Sequence, residues 1–242
     1  MPFPLAHPAA VLPLRRFCPR RLSFLALVLG SLSPDLGYAF HKPDLAELAH
    51  QPVLGTLLFC LPVGLLLVLG VYLVRLPVTR LLPARYRRAL LPLCLQPTAP
   101  PFRVAFSILL GALTHQWLDA ATHPQFWLVR SWPILIRPVP IPGRHPLLVC
   151  ELLYAAFTFF GVAWVAGSFS RWWGRGAGAG LPLGRQWVSV LALAGGILWL
   201  AVDARAPRQH FGLVRTGIYS LLLLAGFLLA ASWPGRPPRA QP

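Results

Sequence analysis

The chain has 242 residues, 56% of them hydrophobic and only 12% charged, with a mean hydropathy of +0.62. Soluble domains carry about 25% charged residues, so this composition excludes a water-soluble globule and points to an integral membrane protein. The 22 basic and 6 acidic residues leave a net charge of +16; in a soluble domain that balance would indicate nucleic acid, but here it fits basic loops flanking membrane spans.

The N-terminal forty residues contain two apolar stretches, 2–14 and 22–40, separated by Arg15, Arg16, Arg20 and Arg21. They read as a short helical hairpin that turns at the arginines. The alternative is a signal peptide with its apolar region at 23–32 and cleavage after Ala39. Further along, 53–74, 104–121, 146–169, 186–202 and 216–234 approach the roughly 20 apolar residues that a span needs. The predicted fold class is all-α, a polytopic transmembrane helical bundle of about five to seven segments with that N-terminal hairpin. Residues 1–235 form a single transmembrane domain, and 236–242 a short, basic, proline-rich tail. Cys18, Cys60, Cys94 and Cys150 make no CxxC pair, which leaves them as buried, inert thiols.

Orientation follows from the loops. Alternate connections hold 15 arginines and no acid, whereas the opposite set holds seven basic residues. The first set is expected to be cytoplasmic, with the C-terminus on the same inner side. On that map all six acids and all seven histidines fall on the outer face. The excess positive charge is then a topological signal, and no nucleic-acid partner is expected.

The sharpest motif on that face is His115, Asp119 and His123 at i, i+4 and i+8. On a helix these form one stripe, and neighbours four apart can share a metal ion. A carboxylate inside a membrane helix is costly unless it is paired or serves a function. The competing reading is a hydrogen-bonded His115–Asp119 pair that ties the bundle together. Pro124 should push His123 out of the helix. Asp35, after Ser33 and Pro34, taken alone reads first as a cap for the next segment. His7 stands at a helix-start position before Pro8, and His50 precedes an apolar span. Glu151 is a candidate general base or a carboxylate favoured by a helix N-terminus. Arg130, Arg137 and Arg144 are ordinary loop arginines or a phosphate site.

With Met1-Pro2-Phe3, His7-Pro8-Ala9-Ala10, Gly30-Ser31, Pro34-Asp35 and the 114–123 stretch, the chain resembles a bacterial family of uncharacterised integral membrane proteins over roughly residues 1–165. More distantly it is similar to inner-membrane-associated proteins classed as metal-dependent hydrolases. Their pattern runs Gly-His, Pro-Asp-x-Asp-His, Thr-His-Ser and Ser-His-x-x-x-Asp. The resemblance implies metal ligands at His7, Asp35, His50, His115 and Asp119, with His123 as an extra candidate. Gly37 and Tyr38 replace the second Asp and the His of the second element, which counts against a dinuclear site. The third element is reduced to His50-Gln51-Pro52.

Nitrogen and carboxylate ligands without thiolate suit zinc, manganese or iron. The expected function is a metal-dependent hydrolase acting on a lipid or lipid-linked ester or phosphoester at the outer surface, with membrane lipids as partners and a small-molecule substrate as the other option. Two alternatives belong to other classes. One is a transporter or channel using Asp35, Asp119 and the histidines as an ion or proton path; the other is a non-catalytic membrane protein.

Overall fold

A computed structural model of the chain describes residues 6–18, 20–39, 43–82, 84–97, 99–140 and 145–176. The spans expected at 186–202 and 216–234 and the tail at 236–242 lie outside the described residues, as do His41, Arg144, Asp203 and His210. What is described is mostly helical. The departure from an all-α fold is one two-residue antiparallel pair, β1 (Pro138–Val139) with β2 (Leu147–Leu148), Pro138 opposite Leu148.

The first apolar stretch is short and broken by its prolines. It gives α1 (Pro8–Val11) and a 3₁₀ turn over Leu12–Phe17, which returns at the arginines and packs Val11 and Leu12 against Leu27, Val28 and Leu32. The second stretch is not one helix. Ser23 caps α2 (Phe24–Leu32) by accepting the Ala26 N–H at 3.4 Å, and α2 stops where Ser33 and Pro34 interrupt the ladder. Ser33 Oγ donates to the Gly30 carbonyl at 2.8 Å, and α3 (Leu36–Ala39) and α4 (Pro43–Ala49) follow.

Among the described residues, two helices are long and apolar enough to cross a membrane, Thr56–Leu81 and Val149–Ser168. The first is a π turn over Thr56–Cys60 continued by α5 (Leu61–Leu81). Pro62 has no N–H to contribute to the preceding turn, which opens so that the Leu61 N–H bonds the Thr56 carbonyl. The helix outruns the expected 53–74 segment, continuing through Arg75 and Arg80. The unanticipated α6 (Ala84–Cys94) lies within the basic connection that follows. Leu65, Leu66, Leu69 and Leu73 of α5 point outward, an arrangement suited to lipid contact.

The 104–121 stretch is helical as expected, within α7 (Pro101–Thr122). Pro101 opens α7 at a position that needs no N–H. The helix ends because His123 precedes Pro124 and takes extended backbone, φ −126° and ψ 131°. After α7 come α8 (Trp127–Ser131), a 3₁₀ turn over Pro133–Ile136, the β pair and α9 (Val149–Gly176).

Helices α2 and α7 cross in backbone contact. A Cβ on Gly30 would fall on the Ile108 carbonyl, and one on Gly111 would fall on the Leu27 carbonyl. The two backbones therefore touch without side chains between them. Ala26, Leu29, Val68, Val71, Val104 and Ile108 fill the space between α2, α5 and α7. All four cysteines are buried and unbridged, and burial pushes the Cys18 thiol up to about 11.

Gly111→Val should separate α2 from α7 and cost about 1–3 kcal/mol or more. Gly70→Ala, inside α5 with nothing within 4 Å of the added methyl, should leave the packing intact and stabilise by up to about 1 kcal/mol. Thermal unfolding of both variants in detergent, followed by size-exclusion chromatography, checks the contrast.

Candidate metal centre

Five side chains from separate parts of the chain converge on one buried point. His7 precedes α1, Asp35 follows α2, His50 follows α4, and His115 and Asp119 lie one turn apart on α7. Relative exposures are 0% for His7, 3% for Asp35, 6% for His50, 0% for His115 and 1% for Asp119. The sequence motif on α7 is thus the centre of the group.

Helix ends orient two of the histidines. An α-helix leaves its last four carbonyls without intrahelical partners. His115 Nδ1 donates to one of these on α2, the Ser31 carbonyl, at 2.8 Å. His50 Nδ1 donates to one on α4, the Ala46 carbonyl, at 2.7 Å. A carbonyl only accepts, so Nδ1 carries the proton, and in the neutral ring Nε2 presents a lone pair. Those lone pairs face carboxylates. His115 Nε2 stands 3.3 Å from Asp119 Oδ2 and 3.7 Å from Asp35 Oδ1, and His50 Nε2 stands 3.3 Å from Asp119 Oδ2. His7 stacks on His115 with ring centroids 3.7 Å apart, and its Nε2 is 3.9 Å from Asp119 Oδ1.

Among the described residues, eight of the nine buried side-chain nitrogen or oxygen atoms without a hydrogen-bond partner belong to these five residues. Asp35 is among them through both carboxylate oxygens, so it does not cap the following segment. Buried polar groups are normally satisfied, and lone pairs facing carboxylates repel unless a cation lies between them. Donors about 2.1 Å from an ion stand roughly 3.4 Å apart in a tetrahedron, close to the spacings seen here. Among the described residues, two overlapping sets have ligand atoms within 4.8 Å of one another and could hold a metal ion: His7, Asp35 and His115, and His50, His115 and Asp119.

The other expected residues sit differently. His123 is half-buried at the rim. Its Nδ1 lies 2.9 Å from Thr122 Oγ1 and 3.2 Å from the Asp119 carbonyl, and 4.0 Å from Asp119 Oδ1. Burial pulls its imidazole down to about 4. Glu151 is exposed, and its Oε2 accepts the Leu148 N–H at 2.8 Å, the helix N-terminal role foreseen as its alternative. Arg130, Arg137 and His145 are exposed. Tyr38 and Phe126 rest their rings 5.2 and 5.9 Å from His50, and Tyr154 lies 6.0 Å from His123.

The chain matches a family described as a domain of unknown function (DUF4184) over residues 1–231. It belongs to that family. Compared with curated proteins and with solved structures, it has no match. Membership brings no activity with it, and the chemistry has to come from the five converging side chains.

Sequence reading missed Gln116. Its Nε2 donates to the Ala49 and Gln51 carbonyls at 2.9 and 3.3 Å, bracketing His50, and its Oε1 accepts from Thr56 Oγ1 at 2.9 Å. One α7 side chain thereby ties the His50 loop and the π turn to the helix that carries His115 and Asp119. The available signal was the Gln itself, a polar residue next to His115 in an apolar stretch. Gln116→Ala should lower metal affinity about 10–100-fold, as loss of a supporting group around a metal site typically does, and should also lower the unfolding temperature, because the buried Ala49 carbonyl loses its partner. Competition with a chromophoric chelator checks it.

Proposed function

We propose that the protein is an integral membrane protein that holds one divalent metal ion among His7, Asp35, His50, His115 and Asp119 and uses it to hydrolyse an ester or phosphoester bond of a lipid or lipid-linked molecule. The observation that carries this reading is the convergence of buried, unpartnered nitrogen and carboxylate donors at ligand spacing. Charge supports a single ion. Two carboxylates and three neutral imidazoles balance one divalent cation, and a neutral set is the one a low-dielectric surrounding tolerates. Without thiolates, and with up to five donors, the set suits zinc, manganese or iron.

The ion would polarise the scissile ester oxygen and acidify a water molecule. The protein's part is to fix the donors and manage the proton. His50 and His115 are held in one tautomer by the Ala46 and Ser31 carbonyls. His123 Nδ1 stands 4.0 Å from Asp119 Oδ1 at the rim of the group, whereas the Glu151 carboxylate caps α9. Inner-membrane residence, a cytoplasmic C-terminus and a site facing outward belong to the same proposal, supported by the distribution of arginines and acids along the chain. The complete burial of the five donors favours a second reading, in which the ion is structural and ties α1, α2, α4 and α7 together.

Elemental analysis of purified protein should find about one divalent ion per chain, lost in His115→Ala and in Asp119→Asn. Negligible metal in wild type and variants alike would overturn the metal centre. Incubation with a membrane lipid extract, with products followed by mass spectrometry, separates the two readings. Hydrolysis abolished by a chelator and restored by added ion supports the enzyme, whereas metal-loaded protein that leaves every lipid intact leaves only the structural ion.

A further inference from the structure

Between α7 and α9 the chain does not take the shortest route. Residues 126–137 lie against the molecule through Val129 and Leu135, which pack with Cys150 and Leu153 on the first turn of α9. The other side carries Trp127 (47% exposed), Trp132 (58%), Ile134 (63%) and Ile136 (46%), interleaved with exposed Arg130 and Arg137. From 124 to 150 the sequence holds no acid. Large aromatic and aliphatic groups fully in water are unfavourable at about 25 cal/mol per Å², and arginine interleaved with tryptophan is the composition of a membrane–water boundary.

Position points the same way. The segment is pinned to the first turn of a helix apolar enough to cross a membrane, so it lies at the level where that helix would enter the bilayer. At its start, Phe126 stacks on His50 and Trp127 meets exposed Trp117 of α7 edge-on at 5.5 Å.

We infer that residues 126–137 form a seat in the bilayer interface, with Trp127, Trp132, Ile134 and Ile136 inserted among acyl chains and Arg130 and Arg137 taking the phosphates of anionic phospholipids. This rests on the membrane part of the proposed function, with α9 as a span. The seat places the buried His/Asp group at headgroup depth, so the lipids that the site meets first are anionic glycerophospholipids.

The test uses the full-length chain in vesicles, with a bimane fluorophore on Ile134→Cys. The four native cysteines are buried, and the unsubstituted chain, treated identically, supplies the background. Brominated acyl chains should quench the probe, and aqueous iodide should not. In mixed vesicles, brominated phosphatidylglycerol should quench roughly twofold or more better than brominated phosphatidylcholine. Arg130→Gln with Arg137→Gln should abolish that preference and leave the insertion in place. Iodide quenching without bromolipid quenching would overturn the seat. Protection from both quenchers would also overturn it, because another protein surface, from residues 177–242 or from a second copy, would then cover the segment. Equal quenching by the two lipids in the unsubstituted-arginine chain would overturn the anionic preference. A probe on Phe160→Cys of α9 keeps the outcomes distinct: if it too is reached by iodide and not by bromolipid, the membrane reading itself has failed.

Discussion

The structure turns on two hydrogen bonds from histidine Nδ1 to helix-end carbonyls. Each commits a proton to one side of an imidazole and leaves a lone pair on the other. The His115 bond runs from α7 to α2, so it also holds those two helices in register, whereas the His50 bond is local to the end of α4. Everything around the cluster is consistent with keeping those bonds dry and straight. Ile108 and Ala112 are fully buried along α7, His7 lies flat on His115, and Gln116 holds the loop on the far side of His50.

A buried group of three imidazoles and two carboxylates, with no arginine or lysine paired to it among the described residues, is costly unless a cation or protons balance it. Protons would require imidazolium rings that donate through both nitrogens. Nε2 of His50 and of His115 each stands 3.3 Å from Asp119 Oδ2 without a hydrogen bond. A metal ion accepts lone pairs from all of these directions at once. That is the physical ground for preferring an ion to a hydrogen-bonded pair that merely ties helices together.

Much of this was legible in the sequence, for identifiable reasons. The His115–Asp119 spacing is local, so helical periodicity alone puts both groups on one stripe. Pre-proline geometry likewise foretold where α7 would end at His123. Helicity was readable from apolar length. Convergence was not legible from spacing; only the family resemblance grouped the five residues. His7 and Asp35 lie 28 residues apart and His50 another 15 on, and only the close crossing of α2 and α7 and the folding of 43–49 into a helix bring them together. The apolar stretch at 22–40 looked continuous because Ser33 and Pro34 are a small interruption in composition and a large one in hydrogen bonding. The lead-in to α9 looked like loop, since a two-sided segment with a thin buried edge has no periodicity to detect.

The contact of Gly30 with Ile108 and of Gly111 with Leu27 lies beside Ser31 and one turn from His115. With no side chains between the helices, their separation there is set by the radii of backbone atoms, which cannot be relieved by a change of rotamer. Asp35 and His115 are therefore mounted on a fixed gauge, and a cation of different radius has to be met by rotation of rings and carboxylates alone. Selectivity among ions would then be written in two glycines that never touch the ion.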